Sequence, residues 1–309
     1  MLANFLEKSK PINFIVYLGL FLTFFLITVF SSFLKVDFTW YKVLESGYFF
    51  ILILSVFFFY NFVVTKNKLT FDHSYAFLLF TLTTILFLPK LLEFKILILL
   101  LLYLLFLRKA YSLRSSKNII QKIFDSGFWL GILCILEPFS ILFFIVIYAS
   151  ILLHQKITIH TLVTPIIGFI TPLIIYFAYL FWNDSIDEFT QLFYLDVVNN
   201  IFIYTEDNTI WLFGALVLLT ILSIFLKSPK ALSVNNSFKK NWILLIINSI
   251  IAISFALLIP EKDGAELIFL LVPATVIIAN GFEVIKKNIL KNILIGFLII
   301  GTLLSFFWL

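Results

Sequence analysis

Apolar runs of membrane-crossing length alternate with short polar connections along the whole chain. Measured against about 20 residues per transmembrane helix, these runs predict spans near 12–34, 47–65, 73–89, 92–107, 160–182, 210–226, 241–259, 266–283 and 288–308. The stretch 124–154 fits less simply. As one helix of about 30 residues, it would put the acidic segment 183–209, which has no Lys or Arg, on the cytoplasmic side and export Lys227, Lys230, Lys239 and Lys240. Splitting it at Glu137-Pro138 restores the alternation, because proline disfavours helix at the residue before it. Each half of about 15 residues then covers some 22 Å, which makes the pair a packed hairpin or a re-entrant element.

The predicted fold class is an all-α polytopic membrane bundle of about 11 segments, with the N-terminus in and the C-terminus out. In this topology 17 of the 22 Lys and Arg lie inside and 13 of the 17 Asp and Glu outside. Basic residues retained on the cytoplasmic face set such an orientation. Trp182, Trp211 and Trp308 fall at predicted outer ends and Trp242 at an inner end, the level at which indole rings settle.

Composition narrows the class further. With 62% hydrophobic residues, 13% charged and a mean hydropathy of +1.11, a water-soluble core is excluded. The 40 Phe read as lipid-facing bulk. The first apolar run is long enough to stay as an anchor and has no small-residue cleavage site after it. Cys134, the lone cysteine, lies inside an apolar run, which leaves no disulfide framework or cysteine metal site. The longest polar segments, 183–209, 108–123 and 227–241, are too short for a soluble domain, so residues 1–309 read as one membrane domain without an evident repeat.

Several segments are candidates for function. In 183–209, Ile186, Phe189, Phe193 and Val197 recur at helical spacing, and Ser185 with Glu188 fits a capping box. This predicts an interfacial helix, either a lid over an outward cavity or a connector resting on headgroups. The segment 108–122 carries Arg108, Lys109, Arg114, Lys117 and Lys122, a cluster suited to anionic headgroups and also to topology alone. Gly127 and Gly131 form a GxxxG step for close helix approach. Pro165, Gly168 and Pro172 predict a kinked span used for packing or to line a cavity.

Ionisable groups near outer span ends are the candidate chemistry, since charge at membrane depth is costly. They are Asp37, Glu45, Glu137, Asp263 and Glu266. If they converge in one outward cavity, Asp37 is the catalytic base, Lys42 or Lys262 is a phosphate partner, and Glu137 and Glu266 contact substrate. His73, His154 and His160 lack metal-ligand spacing, no soluble-enzyme motif occurs, and nothing resembles a nucleic-acid-binding module. No cofactor is indicated. The partners implied are the bilayer and a lipid-linked substrate.

The segment Asn4 to Asn13, with Lys8, Lys10 and Pro11, the step Phe124-Asp125-Ser126-Gly127-Phe128 and the run Glu266 to Pro273 together resemble an uncharacterised bacterial family of polytopic inner-membrane proteins. That resemblance covers the chain and implies a cytoplasmic-membrane location without an activity. A more distant similarity, to the GT-C membrane glycosyltransferases, implies lipid-phosphate sugar donors and an acidic catalytic residue in the first outer loop, the kind of position Asp37 occupies. The chain departs from that class in its short first loop and in having no outer arginine. The expectation is an enzyme of envelope glycan or lipid assembly; the alternatives are a scaffold or accessory subunit, and a transporter or lipid flippase.

Overall fold

In lipid a backbone must satisfy its own hydrogen bonds, so runs rich in Leu, Ile and Phe fold as helices. The computed structural model describes residues 5–33, 39–194, 209–233, 236–259 and 267–308, and among them there is no strand. Helix α1 is Pro11–Thr28, continued by a π turn, Val29–Phe33; α2 is Trp40–Lys66; α3 is Tyr75–Leu86, followed by a helical turn at Leu88–Leu91. Next come α4 (Phe94–Ala110), α5 (Ile119–Leu136), α6 (Phe144–Leu153), α7 (Ile159–Trp182) and α8 (Ile186–Gln191). The chain finishes with α9 (Thr209–Ser233), α10 (Asn236–Leu258), α11 (Ile268–Val284) and α12 (Asn288–Trp308). Eight described helices are long and apolar enough to cross a membrane, while α3, α11 and the apolar stretch Pro138–Leu153 are shorter.

Helix ends follow local chemistry. Pro11 sits in the first turn of α1, where its missing N–H costs nothing. The hydroxyl of Thr158 accepts from the Thr161 amide while Thr161 reaches back to the Thr158 amide, a reciprocal cap on α7. Lys68, Gln155 and Asp184 adopt positive φ just past α2, α6 and α7. In each case the next amide closes back on the helix: Leu69 to the Val64 carbonyl, Lys156 to Ile151 and Ser185 to Leu180, all at 3.0 Å. These are left-handed helix stops built without glycine, at about 1 kcal/mol each.

The chain does break at Glu137. Its backbone is extended, α5 ends one residue earlier, and Pro138–Phe143 forms a 3-10 turn leading into α6. Ser150 Oγ donates to the Ala110 carbonyl, and Lys156 Nζ to Ser116 Oγ. Residues 144–156 therefore return to the end from which α5 started, where Lys109 pairs with Asp125 at 2.5 Å. The segment is a hairpin.

Helix α11 is the core. Every residue from Ile268 to Phe282 is buried, as expected of a helix apolar on all sides. It packs against α3, α4, α9 and α10. Tyr60 of α2 bonds Thr275 of α11 at 2.9 Å and the Ala76 carbonyl of α3 at 3.2 Å, and it stacks on Phe80 at 3.8 Å. A second buried set joins Tyr103 to Asn248 at 2.9 Å and Asn248 to Tyr111 at 3.3 Å.

The glycines of α5 meet α7 backbone to backbone. A Cβ on Gly127 would collide with the Pro165 carbonyl, one on Gly131 with the Phe169 carbonyl and the Pro172 ring, and one on Gly168 with the Phe124 carbonyl. Helix α7 stays continuous through both prolines. Thr164 and Thr171 hydrogen-bond the carbonyls of His160 and Ile167, so this stretch serves packing.

One expectation is corrected, and two features add detail. The helix after Asp184 covers only Ile186–Gln191, and Ser185 makes no side-chain cap, its hydroxyl turning back to the Asn183 carbonyl; Val197 lies outside the described residues. Trp242 is buried, its indole N–H donating to Ser228 Oγ at 3.2 Å, whereas Trp182 and Trp211 are exposed. The polar stretches 108–123 and 227–241 are largely helix ends, because α4, α5, α9 and α10 extend past their apolar stretches.

Candidate functional site

Basic connections gather at one end of the bundle. Asn241 and Asn280 donate to the carbonyls of Asn67 (2.9 Å) and Leu69 (3.0 Å), and Arg114 reaches Asn67 at 3.5 Å. They fix the connection between α2 and α3 from three other elements. The Asn13 amide lies within 3.1 Å of the Phe5 and Lys8 carbonyls and of Ser74 Oγ, and Tyr17 Oη is 3.0 Å from the same hydroxyl. The start of α1 is thereby tied to the start of α3.

Between these fixed pieces lies a cavity of about 1070 Å³. Its cationic lining is Lys10, Lys68 and Arg114; Asp72 is the one carboxylate among the lining residues. Among the described residues none of the three cations has a carboxylate partner within 4.0 Å. Asn13 and His73 line it as well, buried to 1% and 7% exposure. Asn13 Oδ1 and both ring nitrogens of His73 lack a hydrogen-bond partner. His73 Nε2 stands 3.6 Å from Glu283 Oε2, too long for a hydrogen bond. Buried polar atoms without partners are rare and call for an explanation.

Behind one wall sits a buried ion pair. Lys227, at 1% side-chain exposure, donates to Glu283 Oε2 at 2.6 Å. Its ammonium lies 4.7 Å from the Phe71 ring centroid and 5.3 Å from that of Phe238, and both rings face the cavity. A cation held between two aromatic faces and a carboxylate keeps its charge at tolerable cost. The wall thus joins α9, α11, the start of α10 and the connection after α2.

The described residues proposed from sequence do not line this cavity. Lys42 is half-buried in the first turn of α2, its amide donating to Thr39 Oγ1 at 3.4 Å. Glu137 stands at the hairpin break, 14% exposed, with Lys95 at 4.0 Å. Neither these nor Glu45 lines the cavity. Asp37, Lys262, Asp263 and Glu266 lie outside the described residues. Among the described residues no cluster of His, Cys, Asp and Glu is arranged for a metal ion. What the cavity offers chemically is cationic and hydrogen-bonding recognition of an anion.

The sequence profile of a family of unknown function, DUF6427, matches residues 1–309. The chain belongs to that family. Lys10 and Asn13, from the N-terminal segment that suggested such a membership, both face the cavity. For this DUF6427 member no curated protein and no solved structure gives a match, so nothing in the comparisons supports the likeness to GT-C enzymes.

Proposed function

We propose that this DUF6427 member is a multi-pass protein of the bacterial cytoplasmic membrane, one membrane domain of eleven segments with the N-terminus inside and the C-terminus outside. Its cavity, on the cytoplasmic side, holds a phosphate-bearing anion used in cell-envelope lipid or glycan assembly. The observation that carries this reading is the meeting of Lys10, Lys68 and Arg114 around buried Asn13 Oδ1 and the His73 ring nitrogens, which lack hydrogen-bond partners. Basic pockets between helices on the cytoplasmic side suit phosphorylated headgroups. The orientation rests on the gathering of basic connections at one end. With Cys134 replaced, a cysteine at Ser116 is expected to be shielded in intact cells and one at Asn183 labelled; the reverse pattern inverts the topology.

The test of the site is binding of sn-glycerol 3-phosphate to purified protein. The variant Lys68→Asn/Arg114→Gln is expected to weaken it at least about ten-fold, the scale of one lost charge-assisted contact. Unchanged binding sinks the reading and leaves a scaffold or accessory subunit, which needs no such site. The enzyme reading draws on the span ends that the sequence assigns to the outer side: Asp37 as base, Lys42 or Lys262 on phosphate, and Glu137 and Glu266 toward a lipid-linked substrate. Cells carrying Asp37→Asn with unchanged envelope glycans, where deletion alters them, would remove Asp37 from it.

A further inference from the structure

The cavity is a cleft between α1 and α2, whose ring contacts among the described residues lie from mid-helix onward. Phe21 packs on Phe57 at 4.9 Å and Phe25 on Phe50 at 5.3 Å, joining α1 to α2 away from the basic end. Ile15 of α1 and Phe58 of α2 both border the cavity, and their surfaces are 64% and 60% exposed. The floor is aromatic: Phe14 stacks on Phe77 of α3 at 4.5 Å. Phe58 lies eight residues before Lys66, the last residue of α2, about 12 Å of helix at 1.5 Å per residue. The cleft is therefore cationic at its mouth on the basic end and apolar below, and it opens sideways onto the surface that faces lipid.

A soluble anion has no use for that second, apolar opening. An anionic lipid matches both parts: its phosphate meets Lys10, Lys68 and Arg114, and its first acyl carbons lie along Phe14, Phe58 and Phe77. A polyol headgroup further supplies the hydroxyl donors that buried Asn13 Oδ1 lacks. We infer that the ligand is an anionic glycerophospholipid that enters laterally between α1 and α2, an inference resting on the reading above that the cavity binds a phosphate-bearing anion.

Native mass spectrometry of the full chain released from detergent micelles tests it, with phosphatidylglycerol, phosphatidylcholine of the same acyl length and soluble glycerophosphoglycerol as probes. Phosphatidylglycerol is expected to bind at least ten-fold more tightly than either of the others, and Lys68→Asn/Arg114→Gln to abolish that preference. Glycerophosphoglycerol binding as tightly as phosphatidylglycerol overturns lateral lipid entry and keeps the anion site. Equal binding of the two lipids, or a preference that survives the double variant, overturns both. A melting curve of each variant checks folding; if the double variant melts early, Lys10→Gln, on an exposed side chain, replaces it and is expected to reduce the preference.

Discussion

Two helix pairs in this bundle are built from similar apolar sequence and end in opposite states. In α5 and α7 the small residues stand at the crossing, so Gly127, Gly131 and Gly168 let carbonyls of one helix touch the other. In α1 and α2 the glycines, Gly19 and Gly47, face open space, and bulky rings make the contact instead. Close approach in lipid depends on where small residues sit, because dispersion and backbone contact replace the hydrophobic drive. The first pair is sealed along its length; the second leaves the cleft.

The comparison breaks first at the seal. Gly131→Leu is expected to cost at least ~3 kcal/mol, since a side chain there meets backbone that cannot yield; thermal unfolding in detergent would show it, and a melting point within 2–3 degrees of the parent (roughly 1 kcal/mol for a chain of this size) would refute the close contact. Next is Lys227→Met at the cleft wall, expected to cost about 3 kcal/mol by leaving Glu283 uncompensated, with Lys227→Met/Glu283→Gln recovering most of the loss. A double variant no better than the single one would show that packing between Phe71 and Phe238, not charge, holds the wall.

A smaller effect comes from His154, in the connection between α6 and α7. Burial, with Lys240, Lys156 and Arg114 nearby, lowers its pKa from the ordinary 6.5 despite the hydrogen bond to the Ser150 carbonyl. The unfolded chain therefore binds the proton more readily. Stability is full above about pH 6.5 and falls as the pH drops below it, levelling off under the folded-state pKa. His154→Gln should flatten that slope in melts taken from pH 7.5 to 5; an unchanged slope assigns it to another group. Smallest is Gly19→Ala: with open space around the position, stability should stay within ~1 kcal/mol of the parent or rise, and a loss as large as that of Gly131→Leu would erase the contrast between the pairs.

The features legible in sequence are those with short-range causes. The break at Glu137-Pro138 follows from proline's effect on the preceding residue, and the glycine step 127/131 from helical spacing alone. The charge pattern foreshadowed one basic end, because each connection carries its own lysines. The cavity was not legible: Asn13 and Ser74 are 61 positions apart, Asn280 and Leu69 are 211, and no local pattern announces such meetings. Suspicion fell on acidic span ends because intramembrane charge is expensive, yet Lys227 and Glu283 meet that expense by pairing across 56 positions. His73, dismissed for lacking metal spacing, stands out only once its ring is seen to be buried without a hydrogen-bond partner.

The complete burial of α11 also has a consequence for the order of events during synthesis. Helix α11 follows α3, α4, α9 and α10 in the chain, so the ribosome delivers it after the four helices it packs against. Until residue 268 emerges, α3, α4, α9 and α10 lack their common partner, and Tyr60 of α2 waits for Thr275. Assembly of this chain is thus a late closure around a newly arrived axis. A chain truncated at residue 259 is expected to insert and then be degraded in a pulse-chase, whereas one truncated at residue 287 should survive longer.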